Sequence, residues 1–166
     1  MAASQLIKSG QNIDITFIGE GPSRLELQKL ADTQGISEYI HFLGKKDRDF
    51  VYSELCKYDL MCHPARYEGF GLVVAEAIAA GVPVLVSNSG GPFEIIQQGK
   101  YGLYFENGNI DSLIHELRRF INLSSDIVEK KSIEAKNHVE EVYSIKNIID
   151  KLNIFYKKNN KYENFI

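Results

Sequence analysis

Short apolar runs that end at turn residues alternate with helical stretches along most of this chain, and that alternation limits the fold more than any other feature. Residues 14–18 lead into Gly19-Glu20-Gly21-Pro22, residues 40–43 into Gly44, and residues 60–63 into Pro64. Residues 83–86 and 102–105 read as two further strands. Helices are expected over 23–34, 49–58, 72–80, 92–98, 110–122, 127–142 and 145–157, after what looks like the tail of a helix at 3–9. In the first full helix Ser23 is the expected N-cap, and Leu25, Leu27, Leu30 and Ala31 are its apolar positions. Short apolar strands alternating with helices predict an α/β fold, a parallel sheet with both faces covered. In such sheets ligands bind outside the carboxyl ends of the strands. The loops at 19–22, 44–46, 65–71 and 88–91 all follow strands, so they converge on a single expected site.

Composition removes several alternatives. At 166 residues the chain is one domain, long enough to bury a core. A net charge of −3 gives no broad basic bias toward nucleic acid. No apolar run approaches the ~18 residues of a membrane span. Cys56 and Cys62 make neither a disulfide framework nor a zinc site, and no His/Asp/Glu cluster has metal-ligand spacing, so no metal is expected. A reduced, cytoplasmic setting is the expectation. The basic run at 157–161 reads as a solvated tail, with contact to an anionic membrane surface as the alternative.

The densest chemistry lies in Glu68-Gly69-Phe70-Gly71-Leu72-Val73-Val74-Ala75-Glu76. Gly69 and Gly71 permit a tight turn and close backbone approach to a ligand. The helix that follows would offer free N–H groups and a positive dipole end to an anion such as a phosphate. Glu68 stands before that helix and Glu76 in its second turn. Carboxylates on both sides of a phosphate site suit a ligand with hydroxyls on both sides, such as a nucleotide sugar.

This string, preceded by Pro64-Ala65-Arg66-Tyr67 and followed by Ala77, Gly81-Val82-Pro83-Val84, Gly90-Gly91 and Glu94, resembles the signature of the family 4 glycosyltransferases. These are retaining GT-B enzymes with two Rossmann-like domains, and the resemblance covers roughly residues 14–156. It implies the C-terminal, donor-binding Rossmann-like half of a GT-B fold. Glu76 would take the ribose hydroxyls. Glu68, the catalytic candidate, would act on the hydroxyls of the transferred sugar as a positioning and electrostatic group, not as a nucleophile. The amides of Phe70, Gly71 and Leu72, with Gly69 in the same turn, would approach the sugar and the distal phosphate. Gly21 matches the family's Gly-x-Gly-Pro turn, and Gly44 and Lys45 match the loop that holds the nucleobase. Both loops also read as plain strand-to-helix turns, and His63, at a strand end, reads as a satisfied packing histidine, with a position facing the site as the alternative.

The resemblance further implies a nucleoside diphosphate sugar as donor, no other cofactor, and a hexose or N-acetylhexosamine transferred to a hydroxyl. The acceptor would be a lipid-linked glycan at the inner face of a bacterial membrane, in lipopolysaccharide, capsule or glycolipid synthesis. No Gly-Arg…Lys loop precedes Asp14, so the family's first strand and its N-terminal acceptor domain are expected from outside residues 1–166. The helix around 145–156 should then carry an exposed apolar stripe, because that region of the family crosses back to the N-terminal domain. A non-catalytic nucleotide-sugar-binding module is the alternative.

Overall fold

The computed structural model describes residues 1–159. Helix α1 (Ala2–Lys8) leads to β1 (Ile15–Ile18), α2 (Arg24–Gln34) and β2 (Ile40–Gly44). Next come α3 (Arg48–Leu55), β3 (Met61–His63), α4 (Leu72–Ala79), β4 (Val84–Ser87), α5 (Gly90–Ile95) and β5 (Leu103–Phe105). Three helices follow, α6 (Ile110–Ile121), α7 (Ser125–Tyr143) and α8 (Ile145–Asn159). The expected α/β class holds, with parallel strands flanked by helices.

The expected single sheet is divided. Strands β1 and β2 form one parallel ladder, and β3-β4-β5 forms a second with β4 at its centre. Among the described residues no ladder joins the two. Burial follows the division. Every residue of β4 is buried, as suits a central strand covered on both faces. In the first ladder Phe17 stacks on Phe42 at 5.1 Å between ring centroids and still stays 42% exposed. The apolar positions of α2 are also largely uncovered: Leu25, Leu27 and Leu30 are exposed and only Ala31 is buried.

The core sits in the second half. Val74, Ala77 and Ile78 of α4 pack with Val84 and Val86 of β4, Ile95 of α5, and Ala135 and Val139 of α7. Truncating a buried isoleucine such as Ile78 to alanine costs about 2–5 kcal/mol. Helix α4 stops where Gly81 turns left-handed, and the Val82 amide returns to the Ala77 carbonyl at 2.9 Å.

Several helix ends differ from expectation. Ser23 precedes α2 without a side-chain cap, since its backbone is already helical. Helix α3 starts one residue early because the Asp47 carboxylate accepts the Phe50 amide at 2.7 Å. Helix α5 runs 90–95 instead of 92–98, because Gln97 and Gln98 take positive φ and unwind it. The expected stripe on the last helix is present. Ile145, Ile149, Leu152 and Tyr156 share one helical face, and their exposure runs from 48% to 77%. Residues 160–161 of the basic run lie outside the described residues.

Candidate functional site

The loop between β3 and α4 crosses the carboxyl ends of the strands and is held from beneath. The Ser87 hydroxyl, buried at the end of β4, donates to the Ala65 carbonyl. Asn107, beyond β5, donates its side-chain amide to the Arg66 carbonyl at 2.7 Å. Its backbone amide in turn donates to the Asn88 side chain at 2.8 Å. Two neighbouring strand ends therefore fix the chain on its way to Glu68.

Gly90 and Gly91 press against the other side of this loop. The Gly91 amide donates to the Glu68 carbonyl at 3.0 Å. A Cβ on Gly91 would lie 2.3 Å from the Phe70 carbonyl oxygen, and one on Gly90 would lie 2.2 Å from that of Glu68. The pair is needed so that one backbone can lie on another. Gly71 then enters α4 at φ +79, with its Cβ direction blocked by Pro92. No side chain caps α4, and the first amides of a helix have no intrahelical partner. Gly69 has neither positive φ nor any atom near its Cβ direction, so the fold itself does not require glycine there. Gly21 is exposed and equally unconstrained.

The two glutamates have different surroundings. Among the described residues the Glu68 carboxylate takes no hydrogen bond or ion pair; its charge is felt by His63, at the end of β3. Burial lowers the His63 pKa and Glu68 partly opposes that shift, so the ring is neutral near pH 7. The Nε2 of His63 is buried with no hydrogen-bond partner, unlike a satisfied packing histidine. Glu76, by contrast, is held. The Tyr52 hydroxyl donates to its Oε1 at 3.0 Å, and Arg48 reaches the same oxygen at 3.5 Å.

Contacts from α3 link Glu76 to the other expected loops. Arg48, the first residue of α3, stands three positions after Lys45. The Gly19 amide donates to the Gly44 carbonyl at 2.9 Å. Glu20, ion-paired with Arg24, lies 2.9 Å from where a Gly44 Cβ would stand. The ends of β1 and β2 are thus joined, and α3 connects them to α4. Lys45 is exposed, and Lys46 lies over the Phe50 ring at 4.8 Å. Phe70 is half exposed and meets Tyr143 edge to face at 6.1 Å. Burial, then Glu94, raises the Tyr143 pKa. Among the described residues no group of three or more His, Cys, Asp or Glu side chains is placed to hold a metal, and no helix is long and apolar enough to cross a membrane.

The sequence reading did not single out Tyr52, Arg48, Ser87 or Asn107. A polar residue closing an otherwise apolar buried strand was a usable signal for Ser87. Tyr52 and Glu76 are 24 positions apart, and nothing in the sequence joins them.

Comparison with known proteins gives the family and the fold. The model of the family described as glycosyl transferases group 1 matches residues 1–139. An uncharacterized glycosyltransferase of Methanocaldococcus jannaschii is 34% identical over 148 residues, which is 88% of this chain and 37% of that protein. A GDP-mannose-dependent alpha-(1-6)-phosphatidylinositol monomannoside mannosyltransferase of Mycobacterium tuberculosis is 35% identical over 104 residues, 58% of this chain and 27% of that protein. The chain therefore spans about a third of the length of these relatives. Among solved structures, a glycosyltransferase from Rickettsia africae superimposes with a TM-score of 0.85 at 21% identity, over 97% of this chain and 43% of that one. Anabaena Alr3699/HepE in complex with UDP-glucose gives 0.81 at 20% identity, over 95% and 43%. The fold is that of one half of a GT-B glycosyltransferase, and the chain belongs to the glycosyl transferases group 1 family.

Proposed function

We propose that this chain is the donor-binding half of a retaining, family 4-type glycosyltransferase. It would bind a nucleoside diphosphate hexose or N-acetylhexosamine for transfer to a hydroxyl. The observation that carries this reading is the uncapped start of α4, with the Glu68 carboxylate before it and Glu76 in its second turn. A helix N-terminus suits a diphosphate, and the two carboxylates can accept hydroxyls of the sugar and the ribose. UDP-glucose bound by a structural neighbour supports a nucleotide-sugar donor.

In this reading the amides of Phe70, Gly71 and Leu72 stabilise charge as it develops on the departing diphosphate. Glu68, free of other partners, orients the transferred sugar. Gly21, Gly44 and Lys45 line the nucleobase end. The strand order β2-β1 and β3-β4-β5 supports a six-stranded doubly wound sheet whose missing strand lies between β1 and β3. That strand and an acceptor domain would come from outside residues 1–166. The acceptor would be a lipid-linked glycan of a bacterial surface polymer, met at the inner face of the membrane by a cytoplasmic protein.

Calorimetric titration of the folded chain with UDP, GDP and ADP and their sugar conjugates tests the reading. One nucleotide series should bind, weakly, with the sugar conjugate affected by Glu68→Gln. Absence of binding by every member at millimolar concentration contradicts it.

A further inference from the structure

Helix α3 places Arg48 and Tyr52 four residues apart, on one face and one turn from each other. The Arg48 guanidinium lies over the Tyr52 ring at 5.1 Å and donates its Nε–H to the Tyr52 hydroxyl at 2.8 Å. Arginine has donors only, so the hydroxyl oxygen must accept this bond. The hydroxyl proton is then free to go to Glu76 Oε1, 3.0 Å away. The direction of the relay is fixed: guanidinium to phenol to carboxylate.

Only Oε1 of Glu76 is engaged, by Tyr52 and at longer range by Arg48. Among the described residues Oε2 takes no hydrogen bond. The Glu76 side chain is 30% exposed, so an unrestrained carboxylate there would sample several rotamers. Anchoring one oxygen fixes the plane of the group and leaves the other to a ligand. A vicinal diol needs both hydroxyls received by one carboxylate in a set orientation, and holding it beforehand lowers the ordering cost of binding.

We propose that Tyr52, with its hydroxyl oriented by Arg48, is a positioning residue that sets Glu76 to receive a ribose diol, and so makes this site discriminate ribonucleotides from 2′-deoxyribonucleotides. This rests on the donor-site reading above. The arm lies on α3 and touches none of the residues assigned to the sugar or the diphosphate, so it affects the ribose alone.

The test is the affinity ratio between each ribonucleoside diphosphate and its 2′-deoxy counterpart, measured by calorimetry for UDP/dUDP, GDP/dGDP and ADP/dADP. Wild type should favour the ribonucleotide of the series it binds. Tyr52→Phe keeps the ring and should cut that preference about tenfold, as expected for losing a hydrogen bond to a charged group. Binding of the deoxy form should change little. Arg48→Gln, at a residue 76% exposed and outside the core, should reduce the ratio in the same direction by a smaller factor, which keeps the test informative if Tyr52→Phe folds poorly. In the Glu76→Gln background neither change should lower the ratio further. Equal loss of ribo and deoxy binding, or an unchanged ratio in both variants, overturns the proposal while leaving the donor site standing. A wild type that binds nucleotides without ribose preference also overturns it. A wild type that binds none overturns the donor-site reading and this inference together.

Discussion

The Gly91 amide is hydrogen-bonded to the carbonyl oxygen of Glu68 at 3.0 Å, so the start of α5 and the loop carrying the first glutamate form one backbone unit. The contact explains why glycine stands at 90 and 91: any side chain would meet the carbonyls of residues 68–70. Glu68 is therefore placed by a neighbouring helix and by Ser87 beneath the loop, not by its own turn alone.

Gly91→Ala should force this loop outward. Overpacking of this kind costs about 1–3 kcal/mol, and nucleotide-sugar binding should fall with it. Gly69→Ala meets no protein atom and should leave the urea midpoint near wild type. If the ligand approaches Gly69, that variant should still lose donor affinity. Equal destabilisation of the two variants in urea titrations would refute the packing argument.

Glu76→Gln should weaken free nucleoside diphosphate and sugar conjugate alike, because it acts at the ribose. A hydrogen bond to a charged group contributes about 1.5–3 kcal/mol. Glu68→Gln should spare the free nucleotide and weaken the conjugate. Calorimetry on both ligand types reads the difference, and identical losses in the two variants would merge the roles assigned to them.

Stability should fall on mild acidification. His63 is pushed below its ordinary 6.5 by burial, and His138 by burial and Lys100. The unfolded chain then binds more protons than the folded one, so unfolding free energy rises with pH through this window. The histidines' contribution is complete above about pH 6.5 and is lost as pH drops below it. Urea midpoints at about pH 7.5 and about pH 5.5 should show the fall, and His63→Leu should shrink it. An unchanged pH dependence in that variant would mean that His63 is not held neutral by the fold.

Much of the site could be read in the sequence because its signals are local. Glycine at 71 and Glu76 five residues later define a helix start with a carboxylate in its second turn, and the structure has both. What escaped is what joins distant segments. The Tyr52–Glu76 bond depends on how α3 lies beside α4, and the bond from Asn107 to Arg66 spans 41 positions. The division of the sheet escaped for the same reason: each strand is recognisable locally, while pairing is a property of neighbours. The leucines of α2 lie exposed because a helical apolar pattern does not say what covers it.

The exposed face of α8 carries a prediction about activity. Ile149 and Leu152 are about half exposed on a helix whose packing partner is α7. On the proposed division into a donor half and an acceptor half, residues 1–166 alone should transfer no sugar at a useful rate. On the same proposal, this half joined to an acceptor half should transfer with retention, and Ile149→Asp with Leu152→Asp should reduce that transfer by loosening the two halves. Product anomeric configuration by NMR and initial rates check these outcomes. Efficient transfer by the short chain would contradict the division into two halves.

A nucleotide sugar bound at the start of α4, between Glu68 and Glu76, would perturb a defined set of amides. Amide chemical-shift mapping of the isotopically labelled chain, titrated with UDP-, GDP- and ADP-sugars, tests it most directly. The largest shifts should fall on Glu68, Gly69, Phe70, Gly71 and Leu72, with smaller ones at Gly21, Gly44 and Lys45 and near Glu76. Shifts confined to other surfaces, or none at millimolar ligand in a folded sample, would contradict it.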